Sequence, residues 1–222
     1  MAEQLIFDWP TGVALGEEDF FTSPANANAY AMIMAPQSWP EGKLVLVGDA
    51  GAGKSHLARV FAQAHEALTV QAFDLPEDLQ AHTAVVVEDA DRLPRGREET
   101  LFHLHNNLRA ARLPLLLTAR TPPSRWALTL PDLASRMQAA SIATIDTPDD
   151  ALLQALLMKL FADRQLAPAP TVFAYLLPRM ERSFAAAQDV VARLDAAALA
   201  TQSPVTRNLA RDVLDNLASE DE

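Results

Sequence analysis

The ten residues GDAGAGKSHL at positions 48–57 restrict the fold of this chain more than any other stretch. They match the pattern G-x-x-x-x-G-K-[ST] through Gly48, Gly53, Lys54 and Ser55. Glycines let backbone amides curl around phosphate oxygens, the lysine reaches the outer phosphates, and the serine hydroxyl ligates magnesium. The stretch therefore predicts a phosphate-binding loop (P-loop) for a nucleotide, ADP or ATP, bound together with Mg²⁺.

The residues on either side of this loop support that interpretation. KLVLVG (43–48) is a short apolar run typical of a buried strand, and KSHLARVFAQAHEA (54–67) places its apolar residues on one helical face. A helix that begins at Lys54 directs its positive end at the bound anion. We add Gly51 and His56 to the predicted nucleotide-binding residues, although a histidine after the serine more often packs than catalyses.

Strands and helices alternate over the first two thirds of the chain. Helical patterns occur at 25–35, 54–67 and 98–112, and apolar strand patterns at 43–48, 68–73, 83–89, 113–120 and 141–146. This alternation is typical of a parallel sheet covered on both faces. The fold class is therefore α/β, with three layers around a parallel sheet.

The last third of the chain shows only helical patterns, at 150–165, 170–180, 183–201 and 204–218. The loop DTPDD before them contains Thr147 and Asp149, either of which could cap the first of these helices. We therefore predict a small C-terminal all-helical domain. The predicted division is an N-terminal arm at 1–22, a nucleotide-binding domain at 23–147 and the helical domain at 148–222.

A bound magnesium ion also requires an acid at the end of a second strand. The run VVVED supplies Glu88 and Asp89 directly after a buried apolar stretch. The alternative is that these two acids simply begin a loop.

Composition excludes several classes of protein. The formal net charge is −11 and the pI about 4.8, which argues against strong direct DNA binding. The absence of cysteine excludes disulfides and Cys-type zinc sites. Because neither a signal peptide nor an apolar run of about 18 residues occurs, we expect a cytoplasmic protein with no membrane span.

Four stretches together resemble the AAA+ module of the DnaA family of bacterial replication initiators. They are GDAGAGKSHL, VVVEDADRL, LPLLLTARTPP and PDLASRM, in the family's order and spacing, and the resemblance covers nearly the whole chain. The chain looks closer still to the short Hda-like members, which inactivate the initiator. The resemblance implies a P-loop AAA+ fold whose C-terminal helical domain is a lid over the nucleotide.

The resemblance also implies roles for individual residues. Arg136, in PDLASRM, corresponds to the arginine finger, which reaches a nucleotide held by a neighbouring subunit. Glu88 takes the magnesium position and Asp89 the catalytic position next to it. Arg182 resembles the sensor-2 arginine of the lid, although it could also be an ordinary lid-surface arginine.

Two departures from the family pattern bear on hydrolysis. The magnesium position that is usually Asp is Glu88, and Arg120 replaces the acid of the sensor-1 stretch, where Thr118 remains. We therefore expect weak or absent ATP hydrolysis by the chain itself, while nucleotide binding and Arg136 are unaffected.

The N-terminal run QLIFDW (4–9) resembles the short peptide by which replication proteins dock on the sliding clamp. In that mode Gln4 would lie at a polar rim, and Leu5 and Phe7 would enter an apolar pocket. The alternative is that this run packs on its own domain.

Since family initiators continue into a DNA-binding domain after the lid and this sequence stops at Glu222, we expect no sequence-specific DNA recognition.

These expectations combine into one functional hypothesis. A nucleotide-bound regulator, tethered to the clamp at the replisome, offers Arg136 to ATP held by DnaA and thereby ends initiation. The neighbour that the finger needs could also be a second copy of the chain. Two alternatives stay open: an ATP-driven helicase loader of the same superfamily, and an adaptor that recruits the initiator without promoting hydrolysis.

Overall fold

A computed structural model describes residues 20–220 of the chain. The predicted clamp-binding residues Gln4, Leu5 and Phe7 lie outside this range. Within it, no helix combines the length and apolar character needed to span a membrane.

The core of the molecule is a parallel sheet of five strands in the order β2-β3-β4-β1-β5. All five predicted strands are confirmed, each slightly shorter than its sequence pattern. Because β1 is flanked by β4 and β5, its carboxyl end lies between the carboxyl ends of these two parallel strands. The strands are β1 Lys43–Val47, β2 Leu68–Gln71, β3 Val85–Glu88, β4 Leu115–Ala119 and β5 Ser141–Thr144.

Helices cover both faces of the sheet, which confirms the three-layer α/β class. Alternate residues of a strand point to opposite faces. Leu44 and Leu46 pack toward α1 (Ala27–Ile33) and α2 (Lys54–Ala64). Val45 and Val47 pack toward the opposite layer, formed by α3 (Glu98–Ala111) and α4 (Pro131–Gln138). The sequence patterns did not predict α4, which begins at a proline and has only eight residues.

The last third of the described chain forms a helical domain with its own apolar core. Asp149 caps its first helix by accepting a hydrogen bond of 2.8 Å from the Leu152 amide, as one of the two predicted caps. Leu156 packs against both this core and the α1–α2 layer, so the helical domain lies directly on the α/β domain. Its helices are α5 Asp150–Asp163, α6 Pro170–Leu176, α7 Phe184–Thr201 and α8 Arg207–Glu220.

Candidate nucleotide-binding site

The predicted phosphate-binding loop connects the end of β1 to the start of α2. Gly51 and Gly53 have φ angles of +78° and +90°, in the left-handed region that side chains rarely adopt. Gly53 is the residue before α2, and it offers no side chain to the free amides of the first turn. These amides and the positive end of an 11-residue helix therefore favour an anion at the loop.

Lys54 lies at the centre of this loop. Its side chain is buried, and Nζ donates hydrogen bonds of 2.8 Å to the carbonyl oxygens of Gly48 and Asp49. Burial lowers the pKa of Lys54, while the charge of Asp89 acts in the opposite direction. A phosphate oxygen is a stronger partner than a neutral carbonyl because it is charged. The Ser55 side chain, in the same first turn, is exposed and free to face a ligand.

The predicted acids lie at the same edge of the sheet. Glu88 ends β3, where Gln71 Nε2 donates a hydrogen bond of 2.7 Å to Glu88 Oε2. The Asp89 amide donates a hydrogen bond of 3.1 Å to the buried Thr118 hydroxyl at the end of β4. Since β4 lies between β1 and β3, the strand order brings these residues to the loop, where parallel sheets bind ligands.

Arg120, the departure noted in the sensor-1 stretch, lies just after β4. Its backbone amide donates a hydrogen bond of 3.1 Å to Asp91 Oδ2. Its positive charge lowers the pKa of Lys54, after burial and against the effect of Asp89. Arg120 therefore adds a second positive charge to the electrostatic surroundings of the loop.

A cavity of about 240 Å³ opens beside the loop. Its walls come from the loop, from the segment before α1 and from the helical domain, and they combine apolar surface with a few polar groups, as in small-molecule sites. His56 lines it and also packs edge-on against Phe20, with ring centroids 5.6 Å apart. Sequence patterns missed most of the lining, which includes Phe20, Phe21, Asn26, Leu156, Lys159 and Gln188.

The helical domain reaches the loop through α7. A Cβ placed on Gly51 would lie 2.4 Å from Gln188 Nε2, so the amide of Gln188 rests directly on the loop backbone. Arg182, the predicted sensor-2 residue, instead forms an ion pair of 2.9 Å with Asp150, and both side chains are more than 60% exposed. Gln188 is thus a side chain of the helical domain that contacts the loop, while the role of Arg182 stays a prediction.

Arg136 does not line this cavity. It lies on α4, which packs on the opposite face of the sheet from α2. Its guanidinium carbon is 5.1 Å from the centroid of the Phe102 ring. Among the described residues no carboxylate forms an ion pair with Arg136. The Arg136 guanidinium therefore makes a cation–π contact with Phe102, and an anion from another molecule can replace this contact.

We next compared the sequence with those of known proteins. No protein-family profile matches the chain. Over 123 residues, 55% of the chain, the sequence is 28% identical to the chromosomal replication initiator protein DnaA of Cutibacterium acnes. This part of the chain is therefore similar in sequence to DnaA. The match covers 25% of that protein, so the chain spans about a quarter of the length of this relative.

Solved structures agree on the fold. Domain III of the Thermotoga maritima replication initiation protein DnaA matches with a TM-score of 0.73 at 16% identity, over 94% of this chain and 98% of that one. AMPPCP-bound DnaA from Aquifex aeolicus matches with a TM-score of 0.59 at 19% identity, over 74% of this chain and 59% of that one. The fold is that of domain III of DnaA, and two of the matching DnaA structures carry the nucleotide analogue AMPPCP.

Proposed function

We propose that this chain is a nucleotide-bound, Hda-like regulator that stimulates hydrolysis of ATP held by the initiator DnaA. Arg136 would be the arginine finger that acts on the partner's nucleotide. The consequence would be negative regulation of replication initiation, because the initiator would be left with ADP.

The position of Arg136 is the observation that carries this proposal. The residue lies away from the chain's own cavity, on a short helix of the opposite layer, and its cation has no carboxylate partner among the described residues. A guanidinium so placed is suited to a nucleotide bound by a neighbouring molecule, where it would neutralise charge developing on the phosphates. The relation to DnaA supports an initiator as that neighbour.

We propose that the chain holds its own ADP or ATP in the loop and the adjacent cavity. Lys54 and the first-turn amides of α2 would bind the phosphates, and Phe20, Phe21 and Leu156 would surround the base. The AMPPCP carried by a DnaA structure supports this assignment. Gln188 would cover the phosphates from the lid side.

Mg²⁺ would bind with the nucleotide, through Ser55 and Glu88. The residues that the structure describes contain no cluster of three His, Asp or Glu side chains that could hold a metal by itself. The ion would therefore depend on phosphate oxygens for most of its ligands, as Mg²⁺ sites commonly do. Because Gln71 already engages Glu88, we expect slow ATP turnover by this chain alone.

We further propose that the N-terminal run docks the chain on the sliding clamp. Gln4, Leu5 and Phe7 would supply the contacts, in the extended mode by which peptides add to apolar pockets. The net charge of −11 fits a protein brought to DNA by a partner instead of by its own DNA contacts. A pull-down with the clamp, with and without Gln4→Ala and Leu5→Ala, tests this part separately.

The central test measures conversion of initiator-bound labelled ATP to ADP in the presence of DNA-loaded clamp and this chain. We expect Arg136→Ala to lower the stimulated rate by about a thousandfold, the lower end for arginine fingers. Arg59→Ala is the matched control, because Arg59 is an exposed arginine on α2, across the sheet. An unchanged rate with Arg136→Ala rejects the mechanism and favours the adaptor that only recruits the initiator.

The same preparation discriminates against a helicase loader. Steady ATP turnover by the chain alone, together with helicase binding that survives removal of residues 1–10, would favour that alternative. A rate that depends on the initiator and on residues 4–9 supports the regulator.

A further inference from the structure

A buried carboxylate on α3 holds the start of the helix that carries Arg136. Glu98 is 2% exposed, and its Oε2 accepts hydrogen bonds from the backbone amides of Thr129, at 2.9 Å, and Leu130, at 2.6 Å. Its Oε1 lies 3.0 Å from both the amide and the hydroxyl of Thr129. All these partners lie more than 30 residues further along the chain.

The helix that Glu98 holds has no side-chain cap at its start. Leu130 is the residue before α4 and cannot cap with its side chain, and Pro131 at the first position has no amide to donate. The Glu98 carboxylate, with Asp132 in the first turn, places negative charge at the start of α4, which a helix favours. Glu98 binds the amides of the two residues before α4, so it fixes where the helix begins but does not cap the free amides of its first turn.

Glu98 carries a negative charge under ordinary conditions. Burial by itself would raise the pKa of this carboxyl, but the hydrogen bonds from Thr129 and Leu130 lower the pKa below its usual value. Removing one partner of such a buried, hydrogen-bonded charge is costly, because the remaining donors lose their acceptor. The contact is thus specific for a carboxylate.

The same face of α3 meets α4 at a second point. Phe102 lies four residues after Glu98, so the two side chains share a face of the helix. The Phe102 ring lies against the Arg136 guanidinium, and Glu98 binds the residues just before α4. A shift of Thr129 and Leu130 would therefore move α4, and Arg136 with it, relative to the Phe102 ring.

We propose that Glu98 is a positioning residue for Arg136, which sets the orientation of α4 from α3. This inference rests on the proposed function where it concerns catalysis, but the placement of Arg136 can be measured without it. Glu98→Gln keeps the shape of the side chain and replaces one oxygen with an NH₂ group that faces donors. Glu99→Gln is the matched control, since Glu99 is exposed and adjacent on the same helix turn.

The first measurement is the NMR resonance of the Arg136 side chain in the full-length protein, which the Phe102 ring shifts. We expect Glu98→Gln to move this resonance toward that of an exposed arginine, and Glu99→Gln to leave it unchanged. A thermal unfolding curve of each variant establishes that it is folded. An Arg136 resonance that is unchanged in folded Glu98→Gln overturns the inference.

The second measurement is the stimulated hydrolysis of initiator-bound ATP. We expect Glu98→Gln to lower the rate at saturating protein by about ten- to a hundredfold, as for a misplaced catalytic group, with the half-saturating concentration unchanged. In an Arg136→Ala background, Glu98→Gln should cause no further loss, because both changes remove the same contribution. If Glu98→Gln lowers the rate by the same factor in the Arg136→Ala background as in the parent, its role is a general structural one and the inference is overturned.

The two readouts separate the inference from the proposed function. If the parent protein stimulates no hydrolysis, the proposed function is wrong, and the Arg136 resonance alone decides the positioning role. If stimulation depends on Arg136 but not on Glu98, the proposed function stands and the inference is wrong.

Discussion

Gly51 and Gln188 are in such close contact that residue 51 cannot carry a side chain without displacing the lid amide. A Cβ there would lie 2.4 Å from Gln188 Nε2, and the φ angle of +78° already disfavours any L side chain. This contact joins the phosphate-binding loop to α7 of the helical domain. The loop and the lid therefore constrain one another directly.

Gly51→Ala should weaken nucleotide binding by about tenfold, because the left-handed backbone strains alanine by roughly 1–2 kcal/mol and the amide of Gln188 is pushed away. Titration with a fluorescent ADP or ATP analogue measures the effect. Gly96→Ala is the control, since nothing lies within 4 Å of a Cβ at that position. Equal affinities for the two variants would show that the loop tolerates a side chain at residue 51 and would contradict the prediction.

Lys54→Ala should abolish the rise in melting temperature that nucleotide causes. In the parent, nucleotide at a hundred times Kd stabilises the folded state by about 2.7 kcal/mol. The variant loses the only Lys or Arg side chain that hydrogen-bonds to the carbonyl oxygens of Gly48 and Asp49 in the described loop. Melting curves with and without ADP and Mg²⁺ measure the change. Lys159→Ala is the control, because Lys159 also lines the cavity but lies in the helical domain. A nucleotide-dependent rise that persists in Lys54→Ala would place the ligand elsewhere.

Gln71→Leu should raise ATP turnover by the chain itself, by roughly two- to fivefold, because one hydrogen bond of about 1 kcal/mol no longer occupies Glu88. The measurement is phosphate release by the purified chain as a function of Mg²⁺ concentration. Glu88→Gln should remove whatever turnover the parent shows. If Gln71→Leu leaves ATP turnover unchanged while Glu88→Gln lowers it, the hydrogen bond from Gln71 to Glu88 does not slow turnover.

The sequence allowed the prediction of the sheet and its loop because their signals are local. Five apolar runs and one glycine pattern lie within single elements, and all five strands form where they were expected. The helix α4 was missed because Leu133 and Met137 are the only fully buried residues in its eight positions, and the carboxylate that holds the residues before it is that of Glu98. No local pattern can indicate a hydrogen-bond acceptor that lies more than 30 residues away.

The cavity could not be predicted for a related reason. Besides the loop and His56, its lining comes from the segment before α1, from α5 and from α7, which meet only when the helical domain packs on the α/β domain. The family pattern directed attention to Arg182, whose role stays a prediction. Gln188, six residues later, contacts the loop, and no sequence pattern indicated this contact.

His105 is a buried histidine whose charge state should control stability in mild acid. Burial first, and then the positive charges of Lys43 and Arg136, lower the pKa of His105 to about 4, against opposing effects of Asn106 and Glu41. Lys43 Nζ lies 3.3 Å from His105 Nε2. In the unfolded chain the same ring titrates near its ordinary pKa of about 6.5. The folded state therefore favours the neutral ring.

Between pH 6.5 and 4 the unfolded chain binds a proton that the folded chain does not, so the free energy of unfolding should fall as the pH is lowered. The full shift corresponds to about 3 kcal/mol. We expect His105→Phe to flatten this part of the curve, measured by urea unfolding at several pH values, whereas His103→Phe, at an exposed site on the same helix, should keep it. A parent curve that is flat from pH 6.5 to 4 would mean that His105 is protonated in the folded protein, next to Lys43.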